Sequence, residues 1–561
     1  MNGPVKPLVS APGMPLLDVA DVSVAFGSAR VLRDVSFRIA PGEIVGIAGE
    51  SGSGKSTICR AAMGLLPATA KVTGDVRLDG KPLLGLGETD WARIRGRDMG
   101  MIFQNPASHL DPLRTVGRQI AQPMLRHLGL SRGEAMERAV GLLDSVGIRE
   151  PAIRAKSYPH ELSGGMKQRV MIAAAVSCAP RLLIADEPTT ALDVTVQAKI
   201  LQLLKQLNAE RGLGIILISH DLGVLADICS RIVIMRNGEI VEQGATQQVI
   251  YDPRHDYTRL LVNSQPGRKK LVSGWNDMPA LAPLLAVDGL SVTFPVKRDL
   301  VDIVKNKPAA GFKALDGVSL EVDAGETVGI VGESGSGKST LARAIIRQNT
   351  ASSGVIRLEG RNVADLSGAE LAEFRRGVQM VFQSPYDSLN PRMTVVEAIA
   401  EPIWRHGLAD RRGALEQAAV LLDMVELPRA LGERRPRQLS GGQCQRVGIA
   451  RALALKPRLL IADEITSALD VTTQAQILEL LARLQRERKL TMLYISHDLS
   501  VVSSFCQRVY VFRAGRIVES GPAADVLTHP REAYTQELVA SLHRLTGSPS
   551  AQPQTADAAG Q

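Results

Sequence analysis

The sequence predicts an α/β fold built twice in tandem, and two observations predict it. A short apolar run opens into a glycine-rich loop and then a helical stretch, and this arrangement occurs once in each half of the chain. Further along each half, another apolar run, with the length of a buried strand, ends in Asp-Glu. Apolar strands alternating with helices imply a mostly parallel sheet covered on both faces.

The duplication sets the domain organisation. Gly49-Glu-Ser-Gly-Ser-Gly-Lys-Ser-Thr57 recurs as Gly332-Glu-Ser-Gly-Ser-Gly-Lys-Ser-Thr340, and Leu162-Ser-Gly-Gly recurs as Leu439-Ser-Gly-Gly. Leu183-Ile-Ala-Asp-Glu187 and Ile218-Ser-His-Asp221 recur as Leu460-Ile-Ala-Asp-Glu464 and Ile495-Ser-His-Asp498. Repeats this long are whole domains, not solenoid units. One domain is expected over 14–266 and a second over 284–542, after an N-terminal segment, 1–13. The segment between them, 267–283, is basic and broken by glycine and proline, so it reads as a linker. Residues 543–561 read as a disordered tail of small and polar residues without apolar periodicity. The second domain alone carries a basic stretch, Pro295 to Phe312, which reads as a loop.

Composition narrows the function less than the motifs do. Aromatic residues are 3% of the 561, so a base-stacking surface has little to build from, and no nucleic acid partner is expected. The net charge of +8 suits an anionic surface or simply arginine-rich solvated helices. Cys59, Cys178, Cys229, Cys444 and Cys506 form no local CxxC pair, which argues against a zinc ribbon and a secreted disulfide framework. The first fifteen residues lack the apolar core of a signal peptide, and no run approaches the ~18–20 apolar residues of a membrane span. Work at a membrane is therefore expected to go through partners.

The glycine loop follows the strand-like run Glu43–Gly49 and precedes the helical Lys55–Met63, the context a phosphate loop requires. Gly49, Ser51, Gly52 and Gly54 let backbone N–H groups converge on phosphate oxygens. The helix N-terminus adds about half a positive charge. Lys55 is placed to reach the β- and γ-phosphates of ATP, Ser56 to ligate Mg²⁺, and Thr57 to complete the cradle. Gly332, Ser334, Gly335, Gly337, Lys338, Ser339 and Thr340 repeat it. Asp186 and Asp463, at the ends of apolar runs, are placed to hold Mg²⁺, because ligands sit at the carboxyl ends of strands in α/β sheets. Glu187 and Glu464 are the candidate bases for the attacking water.

Together these residues resemble the ATP-binding-cassette family, and the two Leu-Ser-Gly-Gly segments make the match specific. The resemblance covers nearly the whole chain except linker and tail. It implies two P-loop nucleotide-binding domains, each with a RecA-like core, an antiparallel β subdomain and an α-helical subdomain. Gln104 and Gln383 match the family's glutamine loop, implying a place in catalysis and at Mg²⁺. His220 and His497 match the histidine that contacts the γ-phosphate, and Ala191-Leu-Asp193 and Ala468-Leu-Asp470 match the loop that touches the opposite cassette. The resemblance further implies a pseudo-symmetric intramolecular pair sandwiching two ATP molecules. One site would draw on Ser440, Gly441 and Gly442, and the other on Ser163, Gly164 and Gly165. Phe26 fits the aromatic that stacks on adenine; Phe294 and Phe312 compete for that place in the second half. Two departures stand out: Met166 where many members have Gln, and Ile465 where the first half has Pro188.

Regions outside these motifs discriminate within the family. Ser108–Gln119 and Asp387–Val395, with Tyr251–Leu261 and Leu527–Leu538, are similar to the cassettes of dipeptide, oligopeptide and nickel importers and to their short C-terminal extensions. That similarity implies the ATPase of a bacterial importer for peptides or related solutes, peripheral on the cytoplasmic face of the inner membrane. Two membrane permeases would dock near Gln104 and Gln383, and an extracytoplasmic binding protein would deliver the solute. The alternative is a two-cassette factor acting on ribosomes, although the short proline-broken linker differs from the long charged linker of such factors.

Overall fold

The computed structural model describes residues 14–189, 194–265, 271, 283–295, 311–467 and 469–546. The expected N-terminal segment, nearly all of the linker, residues 296–310, Ala191-Leu-Asp193, Ala468 and the tail from 547 lie outside them. Two compact units divide the chain, one built on 14–265 and the other on 283–542.

In the first unit a six-stranded sheet runs in the order Glu239–Ala245, Arg231–Arg236, Ile44–Ala48, Gly214–Ile218, Leu182–Asp186 and Met99–Ile102. Every pairing is parallel except that of the edge strand Glu239–Ala245. Ile44–Ala48, Leu182–Asp186 and Gly214–Ile218 are buried at every residue, which is why they read as unbroken apolar runs rather than alternating ones. The central strand, Ile44–Ala48, feeds the phosphate loop, and Leu182–Asp186 delivers the Asp-Glu pair two strands away. Both motifs therefore reach the same carboxyl edge of one sheet.

The second unit repeats the order with Arg516–Pro522, Arg508–Arg513, Thr327–Gly332, Thr491–Ile495, Leu459–Asp463 and Val378–Val381, again with a single antiparallel edge. Each unit adds a four-stranded antiparallel sheet. In the first, Leu17–Phe26 sits between Ala29–Ile39 and Ala70–Leu78; in the second, Leu285–Pro295 sits between Gly311–Val322 and Ser353–Leu358.

The third layer of each unit is helical. Val116–His127, Arg132–Ser145 and Gly164–Ala175 bury one face each in the first unit. Val395–Arg405, Arg411–Met424 and Gly441–Leu453 do so in the second. A capping box starts Arg132–Ser145, where Ser131 and Glu134 satisfy each other's backbone N–H, and Thr394 with Glu397 starts Val395–Arg405 in the same way.

Two sequence expectations need correction. The basic stretch expected as a loop is strand at both ends: Pro295 pairs with Gly311, and Phe294 with Phe312, so the hairpin extends into it. The final helix, Ala533–Thr546, runs four residues into the expected tail, because Leu538 and Val539 pack into the core and the helical period continues past them.

Candidate active site

The phosphate loop is shaped by what stands behind it. Gly49 adopts φ +150°, and a Cβ there would stand 2.2 Å from the Met235 carbonyl oxygen; at Gly332, φ +148°, the Phe512 carbonyl oxygen blocks in the same way. Only glycine lets the chain turn against that neighbouring strand. Gly54, left-handed, starts the helix Lys55–Ala62, and no side chain caps it, so its first-turn N–H groups face the loop for an anion. Gly337 and Lys338–Ile345 repeat this. Ser51 and Gly52, like Ser334 and Gly335, are exposed on the loop, while Thr57 and Thr340 are half-buried in the first helical turn.

Lys55 is buried, and its Nζ donates to the carbonyls of Gly49 and Glu50, both at 2.7 Å. Lys338 donates to Gly332 and Glu333 at 2.8 and 2.7 Å. Ser56 donates to the Asp186 carboxylate at 2.8 Å, and Ser339 to Asp463 at 3.1 Å. Burial pushes both aspartates above the usual carboxylate range, the neighbouring glutamate charge adds to this, and the serine bond opposes it. A cation would bring them back down. Ser56 with Asp186, and Ser339 with Asp463, bring hydroxyl and carboxylate oxygens together, donors that suit a hard ion such as Mg²⁺ sharing phosphate oxygens.

Glu187 and Glu464 stand one residue beyond the strand ends in the left-handed region, φ 47° and 49°. Glutamate rarely sits there, and such strain, about 1–3 kcal/mol, collects at functional sites. The fold enforces it: the Glu187 N–H donates to Ile218 O at 3.1 Å and the Glu464 N–H to Ile495 O at 3.0 Å, so the backbone pairs across while the carboxylate turns into the site. Gln104 donates its side-chain N–H to Glu187 at 2.8 Å, and the His220 Nδ1 lies 3.6 Å from the same oxygen. Gln383 and His497 stand 3.0 and 3.6 Å from Glu464. Burial disfavours the imidazolium of each histidine, but the adjacent glutamate outweighs it and raises both pKa values. Burial likewise opposes the Glu464 charge, yet His497 and Lys338 hold its pKa below the usual range.

The turn carrying each histidine rests on residues that the sequence reading quoted but assigned no role. Ser219 accepts from the Asp221 N–H at 3.0 Å, and Asp221 caps the next helix through the Gly223 N–H at 2.7 Å. Ser496 and Asp498 do the same. The sequence signal was present, since Ser-His-Asp before an apolar run is a helix-start pattern.

Ser163 and Ser440 cap the helices that Gly164 and Gly441 open. They belong to the helical layer, not to the carboxyl edge of the core sheet. Met166 now has a consequence: Gln443 returns a bond to the Ser440 N–H at 3.0 Å, completing a capping box, whereas methionine cannot. Ile465 is a buried residue of the hydrophobic core. Phe26, half-buried, ends its strand opposite Ala29, and Phe294 holds that position opposite Phe312. Register thus makes Phe294 the counterpart of Phe26.

Each unit therefore brings together a phosphate cradle, an acidic cation site, and a glutamate flanked by glutamine and histidine. Comparison with known proteins agrees. The model of the ABC transporter family matches residues 32–190 and again 315–467. The chain belongs to the ABC transporter family. It is an ATPase made of two cassettes, and the C-terminal region of oligopeptide/dipeptide transporters matches after each, at 241–282 and 518–559. The chain is 46% identical over 541 residues to the peptidoglycan transport ATP-binding protein YejF of Agrobacterium fabrum, covering 95% of this chain and 97% of that one. It is 43% identical to the glutathione import ATP-binding protein GsiA of Salmonella paratyphi A and 42% identical to that of Escherichia coli K12, covering 94% of this chain and 89% of each relative. A solved dimeric cassette, MJ0796 bound to ADP and Pi, aligns with 43% of this chain and 98% of its own at 31% identity and TM-score 0.38. The ribosome-acting alternative gains no support from these matches.

Proposed function

We propose that this double cassette hydrolyses ATP to drive a bacterial importer for peptides or related small solutes. The observation that carries the reading is the oligopeptide/dipeptide C-terminal region following both cassettes, supported by relatives named for peptidoglycan transport and glutathione import. In each cassette the cradle binds the phosphates of ATP, with the lysine moving from the loop carbonyls to the β- and γ-phosphates. Ser56, Asp186 and Gln104, and Ser339, Asp463 and Gln383, would hold Mg²⁺, which supplies charge neutralisation at the transferring phosphoryl group. Glu187 or Glu464 orients and polarises the attacking water, and His220 or His497 contacts the γ-phosphate. Ser163–Gly165 and Ser440–Gly442 each stand at a helix N-terminus, where backbone N–H groups suit a phosphate.

On this reading two membrane permeases supply the path and a binding protein the solute; among the described residues no helix is long and apolar enough to cross a membrane. A groove beside each glutamine loop offers a seat for a permease. One is lined by Arg95, Met101, Phe103 and Arg114 among others, the other by Arg375, Met380, Phe382 and Arg405. Their shared mix of apolar and basic residues suits permease segments docking at the cytoplasmic face of the inner membrane. Affinity purification of the chain from its own membranes, followed by ATP-driven peptide uptake into vesicles bearing the co-purified proteins, tests this. Recovery of ribosomal particles instead of membrane proteins would sink it.

A further inference from the structure

Each C-terminal extension reaches back to its own phosphate loop through one tyrosine. The Glu50 N–H donates to the Tyr257 phenol oxygen at 3.0 Å, and the Glu333 N–H to that of Tyr534 at 3.2 Å. These are not surface contacts: Tyr257 is 1% exposed and Tyr534 5%. The bonded N–H belongs to the same peptide unit whose carbonyl, on Gly49 or Gly332, accepts from Lys55 or Lys338. Lysine and tyrosine thus grip opposite ends of one peptide, the one that opens the loop. The backbone also runs close to its neighbour there, since a Cβ on that glycine would stand 2.2 Å from the Met235 or Phe512 carbonyl oxygen.

The tyrosine is itself held. The guanidinium of Arg236 lies over the Tyr257 ring, 4.7 Å from its centroid, and Arg513 lies over Tyr534 at 4.8 Å. The turn before Tyr257 is fixed by Glu242, whose carboxylate accepts the N–H groups of Arg254 and His255, both at 3.0 Å. Glu519 fixes the second turn through Arg531 and Glu532 at 2.8 and 3.2 Å. The two extensions differ in sequence there, His255-Asp-Tyr257 against Arg531-Glu-Ala-Tyr534, and yet the phenol arrives at the same N–H. A merely space-filling ring needs no hydroxyl at that point; a buried backbone donor does.

We propose that Tyr257 and Tyr534 are positioning residues for ATP, setting the phosphate loop through its first peptide and coupling the C-terminal extension to nucleotide affinity. The proposal rests on the ATPase reading. When ATP takes the lysine, the Gly49 or Gly332 carbonyl loses that partner, while the tyrosine bond to the N–H at the other end of the peptide does not depend on the lysine. The tyrosine hydroxyl therefore matters more with nucleotide bound than without.

The test is the full chain carrying Tyr257→Phe, Tyr534→Phe or both, which keep the ring and remove only the hydroxyl. Steady-state hydrolysis and titration with a fluorescent ATP analogue are read beside the melting temperature without nucleotide. The expected result is a KM and analogue Kd raised about three- to tenfold, the size of one buried hydrogen bond, with kcat within about twofold and the nucleotide-free melting temperature little changed. Unchanged KM and Kd in the double variant overturn the proposal. So does a fall in melting temperature with KM and kcat lost together, which marks a structural role only. Failure of the wild-type chain to bind the analogue would instead strike the ATPase reading. If one variant does not accumulate, the other half carries the same test.

Discussion

Gln104 donates to Glu187 across 2.8 Å, tying the segment after the strand Met99–Ile102 to the carboxylate proposed as the base. Gln383 and Glu464 repeat the bond at 3.0 Å. A shift of either segment therefore moves the partner or the direction of that carboxylate. This bond would link the proposed permease groove to the proposed base.

Both glutamates stand in equivalent geometry, so both sites should turn over. Glu187→Gln and Glu464→Gln each remove the base and should cut hydrolysis at their own site by about 10²–10⁴. Each single variant lowers phosphate release, and the double variant falls to background. A single variant with the wild-type rate would show that its site is silent.

The loop glycines should separate by neighbourhood. Gly49→Ala places a Cβ 2.2 Å from a backbone oxygen, so the loop must move and nucleotide binding should be lost. Gly52→Ala, at φ +82° with nothing within 4 Å, meets only left-handed strain of about 1–2 kcal/mol and should weaken binding modestly. Titration with an ATP analogue compares them, and equal effects would contradict the steric account.

These sites were legible in the sequence because their chemistry is local. A glycine loop between strand and helix, or Asp-Glu after an apolar run, names its position within nine residues. What the sequence hid depends on distant partners or on register. Tyr257 meets Glu50 from 207 positions away and reads as one more apolar residue on an amphipathic helix. The left-handed turn of Glu187 comes from pairing with Ile218, which no local pattern announces. Phe294 and Phe312 were equal candidates until strand pairing placed Phe294 in line with Phe26. The last helix continues past residue 542 through His543, Arg544, Leu545 and Thr546, anchored by Leu538 and Val539, and the small, polar run that reads as a tail begins only at Gly547.

The raised pKa of His220 predicts a pH signature. Burial opposes its charge, so the shift depends on Glu187, and Glu187→Gln should lower it, as read from the imidazole resonances. The linked stability follows in sign. A histidine raised above its unfolded value of ~6.5 stabilises the fold fully below that pH, and the contribution is lost as pH rises through the folded value. His220→Gln should therefore lower the urea midpoint more at about pH 6 than at about pH 9. A His220 titration unmoved by Glu187→Gln would refute the pairing.

The serine–aspartate bonds predict a cation requirement at both sites. Chelation should stop hydrolysis. Ser56→Ala and Ser339→Ala remove one oxygen donor each and should shift the Mg²⁺ dependence to higher concentration while leaving the fold intact, since both residues are half-buried and their hydroxyls donate to the Asp186 and Asp463 carboxylates rather than into the core. Magnesium titration of phosphate release reads the shift, and identical curves for both variants and wild type would remove these serines from the cation site.

Register makes the last prediction. Phe26 and Phe294 close equivalent strands, whereas Phe312 occupies the place of Ala29. If an aromatic stacks on adenine at the second phosphate loop, it is Phe294, and Phe294→Ala should weaken analogue binding there by about tenfold, within the 1–3 kcal/mol of one stacked base. Phe312→Ala removes a ring that is 59% exposed and should change that affinity little. Carrying both substitutions on a Lys55→Ala background, which silences the first cradle, confines the titration to the second site. The reverse order of effects would hand the adenine to Phe312 and break the correspondence with Phe26.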